Sequence, residues 1–127
     1  MSEPAWVARE LVLVLHDRLL AEHGGAPSLR GEGPLDSALA RPRQLLAYGD
    51  PDLCALAAAY AAGLVRNHPF IDGNKRIAFM SAYVFLARNG RRLIAPETEA
   101  TTMMIGLAAG EIDEAPFAAW LRTNSAA

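Results

Sequence analysis

Between Arg66 and Arg76 the chain reads RNHPFIDGNKR, which places an imidazole, a carboxylate, an amide, a glycine and a Lys-Arg pair close together. An imidazole at His68 suits the removal of a proton from an attacking hydroxyl near neutral pH. Asp72 offers hard oxygen, and a magnesium ion on a nucleotide site usually takes one or two carboxylates together with phosphate oxygens. Asn74 can hydrogen-bond a phosphate or orient the loop. Phe70 is apolar in a polar stretch and is expected to pin the loop to the core, fixing His68.

The cations break a local rule. Asp72 or Asn74 is the expected N-cap of the following helix, which puts Lys75 and Arg76 in its first turn. Exposed N–H groups make that end partly positive, so two cations there repel it and each other. With Arg66, three cations crowd the segment. Sequences break such rules mainly at functional sites. The partner that would resolve the conflict is an anion: a glycine-containing loop, a helix N-terminus, Lys75 and Arg76 converge on a phosphate site. With His68 and Asp72 beside it, transfer of that phosphate is the expected chemistry.

The elements that must position this loop read as helices. Apolar residues recur at helical spacing from Trp6 through Leu11, Val14, Leu15 and Leu19, and Gly24-Gly25 end that helix. A Gly- and Pro-rich loop follows. A short helix is expected from about Asp36, limited or kinked by Pro42. Asp50 as N-cap and Pro51 at the first position open the next helix, roughly Pro51 to Arg66. Its run of alanines leaves no polar face, so it belongs in the middle of a bundle. An amphipathic helix spans about Asn74 to Arg88 and ends at Asn89-Gly90. RRLIAP is short and extended. Helices follow over ETEATTMMIGLAAG, stopped at Gly110, and over DEAPFAAWLRTN, with Phe117, Trp120 and Leu121 on one face. The last residues, NSAA, are expected to be disordered. No segment alternates with period two, so the fold class is all-α, one compact helical bundle over residues 1–127.

The bulk numbers fit. The 127 residues suffice for one domain. A net charge of −2 gives no surplus for sequence-independent nucleic-acid binding. The single cysteine, Cys54, sits in an apolar helical run and reads as a small buried residue. The N-terminal MSEPAW carries no signal-peptide pattern, and the apolar run from Leu53 to Val65 is too short to cross a bilayer, so a cytoplasmic protein is expected.

HPFIDGNKR resembles the signature of the Fic/Doc superfamily, His-x-Phe-x-Asp/Glu-Gly/Ala-Asn-Gly/Lys-Arg. The flanks HDRLLAEHGGAPSLRGEGPLDSALARP, FLARNGRRL and FAAWLRTN are similar to those of its Doc, or death-on-curing, toxin branch. The resemblance implies ATP and Mg2+ as cofactors. It makes His68 the general base and Asp72 the metal holder, with Gly73, Asn74, Lys75 and Arg76 binding phosphates. Fic enzymes that transfer AMP carry glycine where this chain has Lys75. The Doc branch shares the lysine, and there the nucleotide is thought to bind reversed and present its terminal phosphate. The implied activity is a protein kinase acting on a Ser or Thr hydroxyl, with translation elongation factor Tu as substrate and translation arrest as outcome. The resemblance also implies an antitoxin whose disordered C-terminal segment folds onto this protein. Trp6 is a candidate contact for it, although core packing is the plainer role of both Trp6 and Trp120. SLRGEG, Ser28 to Gly33, matches an inhibitory Ser/Thr-x-x-x-Glu-Gly/Asn pattern, but Gly31 and Gly33 make it a poor helix and it is discounted. The competing readings are an AMP transferase, a catalytically silent partner-binding domain and a helix-turn-helix DNA binder, the last opposed by the charge.

Overall fold

The computed structural model describes residues 3–127. Six helices occur among them: α1 (Arg9–His23), α2 (Glu32–Tyr48), α3 (Leu53–Asn67), α4 (Asn74–Arg88), α5 (Glu97–Ala109) and α6 (Glu114–Thr123). A strand β1 (Arg92–Leu93) pairs antiparallel with β2 (Ser125–Ala126). The all-α class is as expected.

The alanine-rich α3 is the central helix. Eleven of its fifteen residues, from Cys54 to Val65, are buried. It packs on α2, α4, α5 and α6. Small side chains allow close approach: a Cβ added at Gly63 would lie 3.1 Å from the Ala38 carbonyl oxygen on α2. That carbonyl lacks its usual helical donor, because Pro42 four residues on has no N–H. Pro42 therefore sits inside α2 without ending it. The helix also begins at Glu32 rather than Asp36. Pro34 falls in the first turn, where backbone N–H groups have no intrahelical acceptor to lose.

The opening of α3 differs from expectation by one acidic residue. Its N-cap is Asp52, not Asp50, and the side chain accepts from Ala55 N–H at 2.8 Å. Arg122 on α6 donates to both carboxylate oxygens of the same residue. The N-terminal segment also departs from the helix expected there. Trp6 precedes α1 and lies against Phe85, with the Arg43 guanidinium 5.0 Å from the ring centroid. Val7 N–H donates to the Tyr60 hydroxyl. At the other end, where disorder was expected, the NSAA stretch carries β2. Ser125 and Ala126 pair with Leu93 and Arg92, and the Arg91 Nε donates to Ser125 Oγ at 2.7 Å. Cys54 is buried and free, as expected.

The hydrogen bonds from Arg122, and secondarily from Ala55, hold the Asp52 carboxyl below the ordinary carboxylate range. A depressed folded-state value means the stabilisation is complete above the unfolded-state value of about 3.9 and is lost as pH falls through the folded-state value. Asp52→Ala should therefore be less stable than the parent at pH 7 by roughly 1 kcal/mol, mostly from the lost cap. Thermal melts of the two proteins should draw together as the pH falls below the unfolded-state value and on through the lower folded-state one.

Candidate active site in the loop between α3 and α4

His68 ends α3. It adopts a left-handed conformation, φ 50° and ψ 55°, and its N–H donates to Leu64 O at 3.2 Å. It is the sole non-glycine residue with positive φ among the described residues. Glycine or asparagine is usual at such a stop, and another residue costs roughly 1–2 kcal/mol. Pro69 then prevents the helix from resuming. The chain turns inward and buries Phe70, 1 % exposed, as the expected anchor. The Phe70 ring stacks on His16 of α1 at 3.7 Å between centroids and 13° between planes.

The Gly- and Pro-rich segment before α2 is a strap across this loop. Arg30 N–H donates to Pro69 O at 2.6 Å and Ile71 N–H to Ser28 O at 2.9 Å. Asp72 Oδ2 accepts from Ala26 N–H at 2.8 Å. The SLRGEG stretch is thus extended through Leu29, which bridges Phe70, and becomes helical only at Glu32.

Neither Asp72 nor Asn74 caps α4. The N-cap is Gly73, φ 82°, with no side-chain hydrogen bond. Asn74 is buried, and both polar ends of its side chain go to one residue: Oδ1 accepts from Phe70 N–H at 3.0 Å and Nδ2 donates to Phe70 O at 2.8 Å. Of the two roles open to it in sequence, its side chain takes loop orientation. Its main-chain N–H remains at the helix head. The first N–H of α4 with an acceptor is that of Ile77, to Gly73 O. Among the described residues, the N–H groups of Asn74, Lys75 and Arg76 have none.

The positive charge is more sharply placed than the sequence suggested. Arg66 turns away and lies 3.7 Å from Glu114 of α6, which also pairs with Arg41. Lys75 and Arg76 are exposed and form no ion pair among the described residues. Two cations without an ion pair and three N–H groups without an acceptor among the described residues therefore share the first turn of α4. Gly73, Lys75 and Arg76 contribute to the lining of a cleft of ≈ 840 Å³ whose other walls include Phe79, Met80 and Tyr83 of α4 and Ala100, Met104 and Ile105 of α5. His68 is exposed, on the strap side of the loop. Arg30 lies 3.3 Å from its Nδ1. A guanidinium only donates, so Nδ1 is the acceptor and the neutral ring carries its proton on Nε2. Asp72 is exposed and keeps Oδ1 without a hydrogen bond among the described residues. No cluster of three or more His, Cys, Asp or Glu that could hold a metal occurs among these residues, so Asp72 belongs to no such cluster.

Two residues at the site were not singled out from the sequence. Arg30 lay in what read as a plain loop. His16 falls in register with Val12 and Leu19 on the buried stripe of α1, and that spacing is the only signal it gives.

A model of the Fic/DOC family matches residues 6–86, from the segment before α1 almost to the end of α4. The protein kinase doc of Escherichia phage P1 is 33 % identical over 117 residues, covering 91 % of this chain and 92 % of that protein. Toxin Doc of Mycolicibacterium smegmatis (strain ATCC 700084 / mc(2)155) is 47 % identical over 75 residues, or 57 % of each chain. The matched span contains the strap, the loop and the head of α4, and the chain belongs to the Fic/DOC family, on its Doc branch.

Proposed function

We propose that this chain is a Doc-type toxin that transfers the terminal phosphoryl group of ATP to a Ser or Thr hydroxyl of a protein. The proposed target is elongation factor Tu, and the consequence is arrest of translation. The observation that carries the reading is the head of α4, where three N–H groups, Lys75 and Arg76 all lack partners among the described residues. In phosphoryl transfer, positioning and charge stabilisation supply most of the rate. A site of unmatched donors on a rigid helix end suits that task. The name of the phage P1 relative, a protein kinase, supports transfer of a phosphoryl group rather than of AMP. So does Lys75, whose stem fills space that glycine leaves open in AMP-transferring Fic proteins.

The residues present fit ATP with Mg2+. Asp72 has one oxygen anchored to Ala26 and the other free, which suits a cation that takes one protein carboxylate and completes its shell with phosphate oxygens and water. Bound Mg2+ would neutralise charge on the phosphates. The main chain from Gly73 to Arg76 and the side chains of Lys75 and Arg76 would hold the phosphate oxygens. Asn74 would act through Phe70, keeping the loop in register with the helix. His68 would take the proton of the attacking hydroxyl. With Arg30 at Nδ1 the ring holds its own proton on Nε2. It becomes a base at Nε2 once that contact opens and the proton sits on Nδ1.

We also assign to this toxin a separate antitoxin with a disordered C-terminal segment. Trp6 is already packed on Phe85 and Arg43, so it is a poor seat. The cleft between α4 and α5 is better, with exposed Tyr83 and Ile105 on its walls. A segment lying there would cover Lys75 and Arg76 and keep nucleotide out. A cytoplasmic location follows from the target.

The deciding experiment incubates the purified protein with elongation factor Tu and ATP labelled at either the α or the γ phosphorus. Label should pass from γ alone, and passage from α alone would overturn the kinase reading in favour of AMP transfer. Lys75→Ala and Arg76→Ala should each weaken transfer roughly ten- to hundredfold, as expected for loss of a charged hydrogen bond. His68→Asn separates catalysis from folding, because asparagine tolerates the left-handed backbone. Its melting temperature should stay within a few degrees of the parent while transfer falls at least about a hundredfold. Undiminished transfer would remove His68 from the mechanism.

A further inference from the structure

We infer that His16 is a positioning residue for this site: it fixes the Asp72–Gly73 peptide so that the Gly73 N–H joins the free donors at the head of α4. The inference rests on the reading of that helix end as a phosphate site. His16 is 1 % exposed and occupies a position on the buried stripe of α1 that an aliphatic residue would ordinarily fill. Burying an imidazole there is unfavourable unless its polar atoms are matched. Its Nε2 lies 2.8 Å from the Asp72 carbonyl oxygen. A carbonyl only accepts, so Nε2 donates and the ring carries a proton there. The face of the ring lies against Phe70. The stack sets the plane of the imidazole, and the hydrogen bond sets where its edge points.

The consequence passes through the geometry of one peptide unit. In a trans peptide the carbonyl and the following N–H point in opposite directions. With the Asp72 carbonyl drawn toward α1, the Gly73 N–H must point away from it. That N–H has no acceptor among the described residues. Glycine at φ 82° makes this peptide easy to flip, since the flip mainly exchanges two dihedrals that glycine accepts in either form. A flipped peptide would present an acceptor oxygen where the N–H had been, and a phosphate would be repelled. His16 removes that alternative by holding the oxygen. Gly73 in turn leaves room for His16, because a Cβ there would lie 3.3 Å from Nε2. Histidine and glycine are thus a matched pair, one on α1 and one in the loop.

Two substitutions separate this role from core packing. His16→Phe keeps an aromatic ring on Phe70 and removes the donor. His16→Gln places an amide N–H near the position of Nε2 and removes the ring. Affinity for ATP with Mg2+ is measured by titration calorimetry, alongside thermal melts and the split between kcat and KM for ATP. His16→Phe should melt within a few degrees of the parent, bind about tenfold more weakly and show a raised KM. His16→Gln should recover most of the affinity whatever its melting temperature. A folded His16→Phe protein that binds like the parent overturns the inference, as does a folded His16→Gln protein no better than His16→Phe. If His16→Phe does not fold, the parent itself decides. In a 15N-labelled sample the Gly73 amide should shift on addition of ATP and Mg2+ together with those of Lys75 and Arg76. A Gly73 amide that stays still while theirs move excludes the proposed donor. A parent that binds no ATP sinks the phosphate site and this inference with it, whereas binding unaffected at His16 sinks the inference alone.

Discussion

Asn74 and Phe70 exchange two hydrogen bonds across four residues, with the side-chain amide of one matching the backbone N–H and C=O of the other. The path of the loop in the proposed site depends on that closure. It fastens the loop to the first residue of α4, and α4 packs along the buried α3. Because both partners are buried, losing the amide would strand a donor and an acceptor at a cost of about 1–3 kcal/mol for each group. An aspartate could accept from Phe70 N–H, but its carboxylate would face the carbonyl with no hydrogen to offer. Asparagine is the short side chain that supplies both.

Around this closure the polar groups divide into two sets. Asp72 Oδ2, the Asp72 carbonyl, the Pro69 carbonyl and the Ile71 N–H are matched within the protein, by the strap and by α1. The N–H groups at the head of α4 and the cations beside them have no partner among the described residues. An aspartate sits next to the N-cap position and is turned onto Ala26 instead of the helix. The local conflict between Lys75, Arg76 and the helix dipole is therefore left standing, and neighbouring elements supply the stability that keeps it in place.

The sequence was readable where the determinant is local. The stops of α4 at Asn89-Gly90 and of α5 at Gly110 depend on residues within one turn, and both lie where expected. The choice between Asp50 and Asp52 as the cap of α3 does not, since Arg122, seventy residues away, holds Asp52. Ser125 and Ala126 look like a frayed end until Arg91 and β1 are placed beside them. Pro42 looked like a limit because its lost bond was counted and the close packing of α2 on α3 was not. At the site, the residue types of the loop pointed to the phosphate chemistry proposed for it, and Phe70 was legible as an apolar residue among polar ones. The side-chain task of Asn74 was not, because an amide that binds phosphate and one that binds a backbone look alike in sequence. Arg66 was misjudged for a similar reason: its partner Glu114 is distant along the chain. His16 was hidden by its own register, being one more member of a core stripe.

Asn89 holds Ala5 by both backbone groups, at 2.8 and 3.0 Å, and two residues later Arg91 grips Ser125 and the carbonyl of Arg122. Beginning and end of the described chain are therefore moored to a single turn, at the opposite extremity of α4 from the loop. The fifteen residues of α4 set these two regions about 20 Å apart. Weakening that one turn would therefore release the segments around Ala5 and Ser125 together, at the end of α4 far from the chemistry.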